Sequence, residues 1–150
     1  MNDLLDYIQY LDKLSVNTKP LWGEMTAHHM VEHLIVAVQS SNGKVTFDQC
    51  MNSEERYPIL KRFLLSKKPL PKQFVNTIIG EGLKPLKYKD LNDAKEKLIL
   101  ELNSFNKYYE DQPSAKPMNV TFGPLAKDEW IVFHNKHFTH HFAQFGLMGE

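Results

Sequence analysis

An all-α helical bundle is the fold class this sequence predicts, and three observations carry the prediction. Apolar residues recur at three- and four-residue spacing in four or five separate segments. No stretch alternates strongly enough to call for a sheet. Two breaker-rich stretches, Lys67 to Asp90 and Asp111 to Lys127, hold most of the prolines and separate the periodic segments.

The first helix is predicted from about Asp3 to Leu14, with Leu4, Leu5, Ile8, Leu11 and Leu14 at helical spacing. The second runs from about Ala27 to Ser41, with Thr26 as N-cap and Gly43 just past its end. A shorter third helix covers about Pro58 to Ser66, where Pro58 fits a first turn and not an interior. The fourth spans about Asn92 to Tyr109, with Ala94, Leu98, Leu102, Phe105 and Tyr109 on one stripe. The fifth spans about Asp128 to Met148. The Lys67–Asp90 stretch is long for a compact domain, which predicts a functional or crossover connection. Within it, Phe74 to Ile79 reads equally as a short strand or a buried loop.

The 150 residues predict one domain, residues 1–150, and no internal repeat is visible. A hydrophobic content of 42% against 24% charged residues is globular and too apolar for a disordered chain. Eighteen basic residues balance 18 acidic ones, which removes the usual electrostatic argument for nucleic acid or an anionic membrane as partner. The single cysteine, Cys50, can form neither an internal disulfide nor a thiolate metal site alone, and a small buried thiol is its expected role. The acidic start, Asn2-Asp3-Leu4-Leu5-Asp6, lacks the features of a secretory signal. The longest apolar run, Leu34 to Val38, is far short of the ~20 residues a membrane helix needs. A cytoplasmic protein is the expectation.

The histidines carry the chemistry. All seven fall in two windows: His28, His29 and His33 on the second helix, and His134, His137, His140 and His141 on the last. At about 100° per residue, Trp130, His134, His137 and His141 fall within about 60° of one another on the last helix. Asn135, Lys136, Thr139 and Ala143 occupy the opposite face, so these imidazoles lie in the apolar stripe. On the second helix His33 is central on the apolar face, His29 lies one turn above it, and His28 is expected to be exposed.

Burying several imidazoles on facing helices requires partners for their ring nitrogens, and a metal ion supplies them. Residues four apart on a helix are ~6 Å apart along its axis, so His137 and His141 can share one ion. His33 from the second helix completes a three-histidine set, leaving a fourth position open as in catalytic zinc sites. The implied cofactor is a divalent transition metal, zinc or nickel before iron or copper. His29 and His134 are alternates on the same faces, and His140 or Gln144 can act as supports behind the ligands. Because ligating imidazoles must be neutral, metal affinity is expected to fall below about pH 6.5. A competing motif, His29-Met30-Val31-Glu32-His33, matches the H-x-x-E-H pattern in which Glu32 would be a general base. Glu32 sits about 100° from His33 and off the apolar face, so the match reads as accidental.

Two stretches also resemble a known family. Trp22-Gly23-Glu24-Met25-Thr26-Ala27 leading into Met30-Val31-Glu32-His33-Leu34 is similar to the opening motif of the DinB/YfiT-like superfamily, in its uncharacterised small-protein branch. The closing segment is the stronger match: Phe122-Gly123-Pro124-Leu125, Glu129-Trp130, Lys136-His137-Phe138-Thr139-His140-His141 and Gln144-Phe145-Gly146. The resemblance implies a four-helix bundle with a long crossover connection. It also implies a metal held by one histidine of an early helix and an H-x-x-x-H pair of the last, which are His33, His137 and His141 here. Members with known activity include metal-dependent thiol S-transferases and a thiol-dependent isomerase. The chain departs from the pattern at Asn119-Val120, where relatives often have His-Pro, and at Ala126, where they often have Ser or Thr capping the last helix.

Three function classes follow. The first is a metal-dependent enzyme, a transferase or hydrolase, in which the ion activates a water or a low-molecular-weight thiol. Glu24, Asn106 and Tyr109 are candidates for proton transfer. The second is a non-catalytic bundle that binds a metal or small ligand, and the third is a structural bundle whose histidines are satisfied by hydrogen bonds. Phe138 and Phe142 lie toward one edge of the last helix, where either a homodimer seam or a further packed element would cover them.

Overall fold

The computed structural model describes residues 3–72 and 82–149. The segment Phe74 to Ile79 lies outside them. The described chain is mostly helical. Its elements are α1 (Ile8–Leu11), α2 (Ala27–Gln39), α3 (Tyr57–Leu65), α4 (Leu91–Asp111), the strands β1 (Met118–Asn119) and β2 (Gly123–Pro124), and α5 (Lys127–Gln144). Single 3-10 turns at Leu4–Tyr7 and Glu54–Arg56 precede α1 and α3.

The N-terminal segment is less helical than its pattern predicts. Asp3 caps the 3-10 turn by accepting the Leu5 N–H at 2.9 Å, and only one α turn follows. Leu4, Tyr7, Leu11 and Leu14 are buried, while Leu5 is exposed. A helix this short is marginal by itself, so its shape follows from what it touches. The Tyr7 hydroxyl donates to Asn135 Oδ1 on α5 at 2.7 Å. Its ring stacks on Phe138 at 5.1 Å, and Tyr10 lies 5.9 Å from Phe142. Phe138 and Phe142 are fully buried by these contacts, so a packed element of the same chain covers the edge for which a homodimer seam was the other candidate.

Helix α2 begins where the cap chemistry predicts: Thr26 Oγ1 accepts the His29 N–H at 3.1 Å. After it, Gly43 adopts φ +85°, and a Cβ there would lie 2.5 Å from the Tyr108 ring, so both backbone and packing demand glycine. Pro58 occupies the first turn of α3. Asp90 caps α4 at 2.8 Å, and its predicted stripe, Ala94, Leu98, Leu102, Phe105 and Tyr109, is buried throughout. Helix α2 packs most extensively against α4, while α5 closes the core against α2, α3 and the N-terminal turn. The buried apolar side chains form one continuous cluster.

The stretch before α5 holds a feature too small for any alternation to announce. Met118 pairs with Pro124 and Asn119 with Gly123 in a two-residue antiparallel ladder. Buried Asn119 closes its turn by accepting the Thr121 and Phe122 N–H groups. At Ala126 a residue without a polar side chain caps α5, and Glu129 compensates by accepting the Ala126 N–H at 2.9 Å. Lys61 of α3 holds the same carboxylate at 3.0 Å. Helix α5 stops at Gln144, short of the predicted Met148. Gly146 at φ +69° turns the chain, with the Leu147 N–H bonded to the Phe142 carbonyl and the Gly146 N–H to that of Ala143. This is the Schellman pattern of a glycine-terminated helix.

One buried charge organises the α2–α4 seam. Glu101 of α4 is fully buried and accepts from Gln39, Asn42 and Lys44. Burial alone would raise its carboxyl pKa; the Lys44 and Gln39 donors outweigh it and hold the group below its usual value. Glu101→Ala is expected to strand these donors and lower stability by about 2–3 kcal/mol. Equilibrium urea unfolding checks this, and a loss under about 0.5 kcal/mol would place the network among surface contacts.

Candidate metal centre

Helices α2 and α5 bring His33, His137 and His141 together, as predicted from their spacing. Nε2 of His33 lies 3.0 Å from Nε2 of His137, which lies 3.2 Å from Nε2 of His141. One ring nitrogen from each residue falls within 4.8 Å of the other two. The ring centroids are 4.9, 4.9 and 4.8 Å apart with interplanar angles of 72–73°, a nearly equilateral array. His137 and His141 are buried at 8% and 7% exposure, and His33 is half-buried.

The array cannot satisfy itself by hydrogen bonds. A neutral imidazole has one N–H and one lone pair. His137 Nε2 faces two other nitrogens, while its buried Nδ1 has no partner among the described residues. A proton on either nitrogen therefore leaves a polar atom unmatched. A cation that accepted the three Nε2 lone pairs would relieve the crowding among those nitrogens, while His137 Nδ1 keeps no partner among the described residues. With metal–nitrogen bonds of about 2.0–2.1 Å, a tetrahedral site has nitrogen–nitrogen edges of about 3.3 Å, close to the two His137 edges at 3.0 and 3.2 Å, while the third is bounded only at 4.8 Å.

The third histidine, His141, is oriented from behind. Gln144 Nε2 lies 2.9 Å from the Trp22 carbonyl, which can only accept, so the amide oxygen must face His141. That oxygen lies 2.8 Å from His141 Nδ1, which therefore donates and leaves the Nε2 lone pair aimed into the cluster. Of the two supports predicted, Gln144 fills this role. His140 packs edge-on to His141 at 4.8 Å and to Trp22 at 5.9 Å.

The remaining sequence candidates separate from the cluster. His29 Nδ1 lies 2.6 Å from the Thr26 hydroxyl, at the N-cap of its own helix. His134 is fully buried one turn from His137, but its Nε2 meets Ser41 Oγ at 2.7 Å. His28, expected to be exposed, is half-buried with Nε2 2.7 Å from Glu32. Glu32 also accepts the Lys87 and Tyr88 N–H groups at 2.8 and 3.0 Å. It pins the connection before α4 to α2, which explains the H-x-x-E-H match without a general base. Tyr109 donates to the Ser41 carbonyl at 2.8 Å. Asn106 and Glu24 are exposed, Asn106 beside a small cavity lined by Asp3, Leu4 and Leu5. Cys50 is half-buried, not buried, and lies against Tyr57. Sequence reasoning missed Ser41, Glu101 and the Trp22 carbonyl; only the glycine after Trp22 hinted at a close approach there.

Burial governs the protonation of these imidazoles. Desolvation, helped by His140, lowers His33 to about 4, and desolvation alone lowers His134 to about 3. His137 and His141 fall well below their usual value through burial and mutual repulsion, with Gln144 opposing the shift at His141. Proton competition at the cluster therefore begins near pH 4 for His33, not at the 6.5 of a free imidazole.

The chain matches no family model, no curated protein and no solved structure. Among the described residues, no helix is long and apolar enough to cross a membrane.

These shifts predict an acid-sensitive fold. The unfolded chain takes up protons at its histidines below about pH 6.5, whereas the folded chain keeps them neutral to about pH 4 or lower. Stability therefore rises with pH and is lost as pH falls from about 6.5, with a slope of about 1.4 kcal/mol per pH unit per buried histidine. Urea unfolding of chelator-treated protein between about pH 7 and 5 checks this. His134→Phe, which leaves Ser41 Oγ its bond to the Val38 carbonyl, should reduce the slope by about one proton. An unchanged slope would mean that His134 is protonated in the fold.

Proposed function

We propose that this protein is a metal-dependent enzyme in which His33, His137 and His141 hold a divalent transition ion, zinc or nickel before others. The observation that carries this reading is the triangle of Nε2 atoms, two of its edges at 3.0 and 3.2 Å, inside a core that offers those nitrogens too few other partners. The helical content, the glycine-terminated last helix and the long connection before α4 support a DinB-like four-helix bundle as the fold behind it. The reaction class we favour is S-transfer from a low-molecular-weight thiol, with metal-assisted hydrolysis next.

When bound, the ion supplies Lewis acidity that brings the proton of a water or thiol into the neutral range. The chain supplies the rest. Three neutral imidazoles would hold the ion without neutralising its charge. Gln144 orients His141. Phe133, with its ring 5.1 Å from that of His137, walls the cluster with apolar surface. His33 is the half-buried member of the three.

Elemental analysis of untagged protein is expected to find one transition-metal ion per chain, absent from the His137→Ala, His141→Ala double variant. The wild-type stoichiometry should persist at about pH 5.5, below the free-imidazole value and above the onset for His33. Multiple turnover with a small thiol and an electrophile would then identify an enzyme, whereas bound metal without turnover would favour a binding module. Protein that remains metal-free after incubation with zinc, nickel and iron would end the metal reading.

A further inference from the structure

The turn before α2 and the end of α5 meet at a point neither needs for its own secondary structure. Gly23 adopts φ +83°, and a Cβ built on it would lie 2.8 Å from Gln144 Nε2. The Leu21 N–H donates to the Gln144 carbonyl at 2.7 Å, so this turn holds Gln144 by its backbone as well as by its side chain. From Trp22 the contacts run in one line: its carbonyl accepts Gln144 Nε2 at 2.9 Å, and Gln144 Oε1 accepts His141 Nδ1–H at 2.8 Å.

We infer that Gln144 is a positioning residue that locks His141 in its Nδ1–H tautomer, and that the Trp22–Gly23 turn holds Gln144 in the orientation that does so. The consequence for ion binding rests on the metal reading above; the tautomer itself does not. The Trp22 carbonyl has only lone pairs, so it rejects the flipped amide, in which two oxygens would face each other. With the amide fixed, His141 can satisfy Nδ1 only as a donor. Glycine at position 23 is part of the device. A methyl group there would press on the far end of a flexible side chain, so the amide would move before the fold did. This separates a loss of orientation from a loss of stability.

Nitrogen-15 NMR of histidine-labelled, metal-free protein reads the tautomer directly, and competition with a chromophoric chelator reads zinc affinity. Wild-type His141 should be the Nδ1–H form. Gln144→Leu should move it toward Nε2–H and weaken zinc binding about 10- to 100-fold. Gly23→Ala should shift the tautomer in the direction of Gln144→Leu. Gly82→Ala is its control, since Gly82 has φ +84° with nothing within 4 Å of a built Cβ. It imposes the same backbone strain without touching Gln144 and should leave His141 and zinc affinity unchanged. An Nδ1–H form that survives Gln144→Leu, or a Gly23→Ala variant indistinguishable from Gly82→Ala, would overturn the inference. If wild-type protein binds neither zinc, nickel nor iron, the metal reading fails, and the tautomer in metal-free protein still decides the role of Gln144.

Discussion

The burial of imidazoles along α5 is the constraint from which most of this structure follows. His134, His137 and His141 occupy seam positions that an ordinary bundle would fill with leucine, and each brings two ring nitrogens into a region poor in water. The protein answers at each level differently. His134 is given a serine hydroxyl at Nε2 from the end of α2, while its Nδ1, like that of His137, has no partner among the described residues. His141 is given an amide that fixes its proton. His137 meets only other imidazoles at its Nε2, and the three-histidine cluster there could hold a metal ion.

Supplying those partners explains features far from the histidines. Ser41 must sit at the end of α2, and the Tyr109 hydroxyl bonds its carbonyl from α4. Glu101 then ties the residues after α2 to α4 through Gln39, Asn42 and Lys44. A fully buried carboxylate is a poor source of stability compared with apolar packing, but it specifies register between two helices in a way that leucine does not. Glu32 does similar work on the other side of α2, holding the backbone of Lys87 and Tyr88. The helix that carries His33 is thus fixed along its length by groups unrelated to metal chemistry. Preorganisation of this kind would let the three candidate ligands take up an ion without reordering the chain.

Even where a local rule is broken, neighbouring elements make up the difference. Ala126 cannot cap α5, and Glu129 supplies the missing acceptor while Lys61 steadies its charge. Burial by itself would raise the Glu129 carboxyl; the Ala126 N–H and Lys61 outweigh it and keep the group below its usual value. The last helix, which provides two of the three candidate ligands, therefore starts from a defined position and ends in a defined Schellman turn.

Much of this architecture is legible in the sequence alone. The cap at Thr26, the first-turn proline of α3 and the stripe of α4 are local consequences of side-chain and backbone chemistry, and local rules locate those elements. Helical geometry also selects His33, His137 and His141, because imidazoles one turn apart on an apolar stripe can only meet what faces that stripe. What sequence cannot decide is which partner each buried group finds. His29 and His134 satisfy the same periodicity as the ligands, and only three-dimensional proximity to Thr26 and Ser41 diverts them. The N-terminal segment has a helical pattern yet forms one α turn, because contacts with α5 outweigh the weak propensity of a short helix. The role of Gln144 likewise depends on the carbonyl of Trp22, at the far end of the chain from α5. Periodicity determines which face is buried; hydrogen-bond pairing across that face is set by tertiary distance, and it is tertiary distance that turns seven histidines into one three-membered cluster.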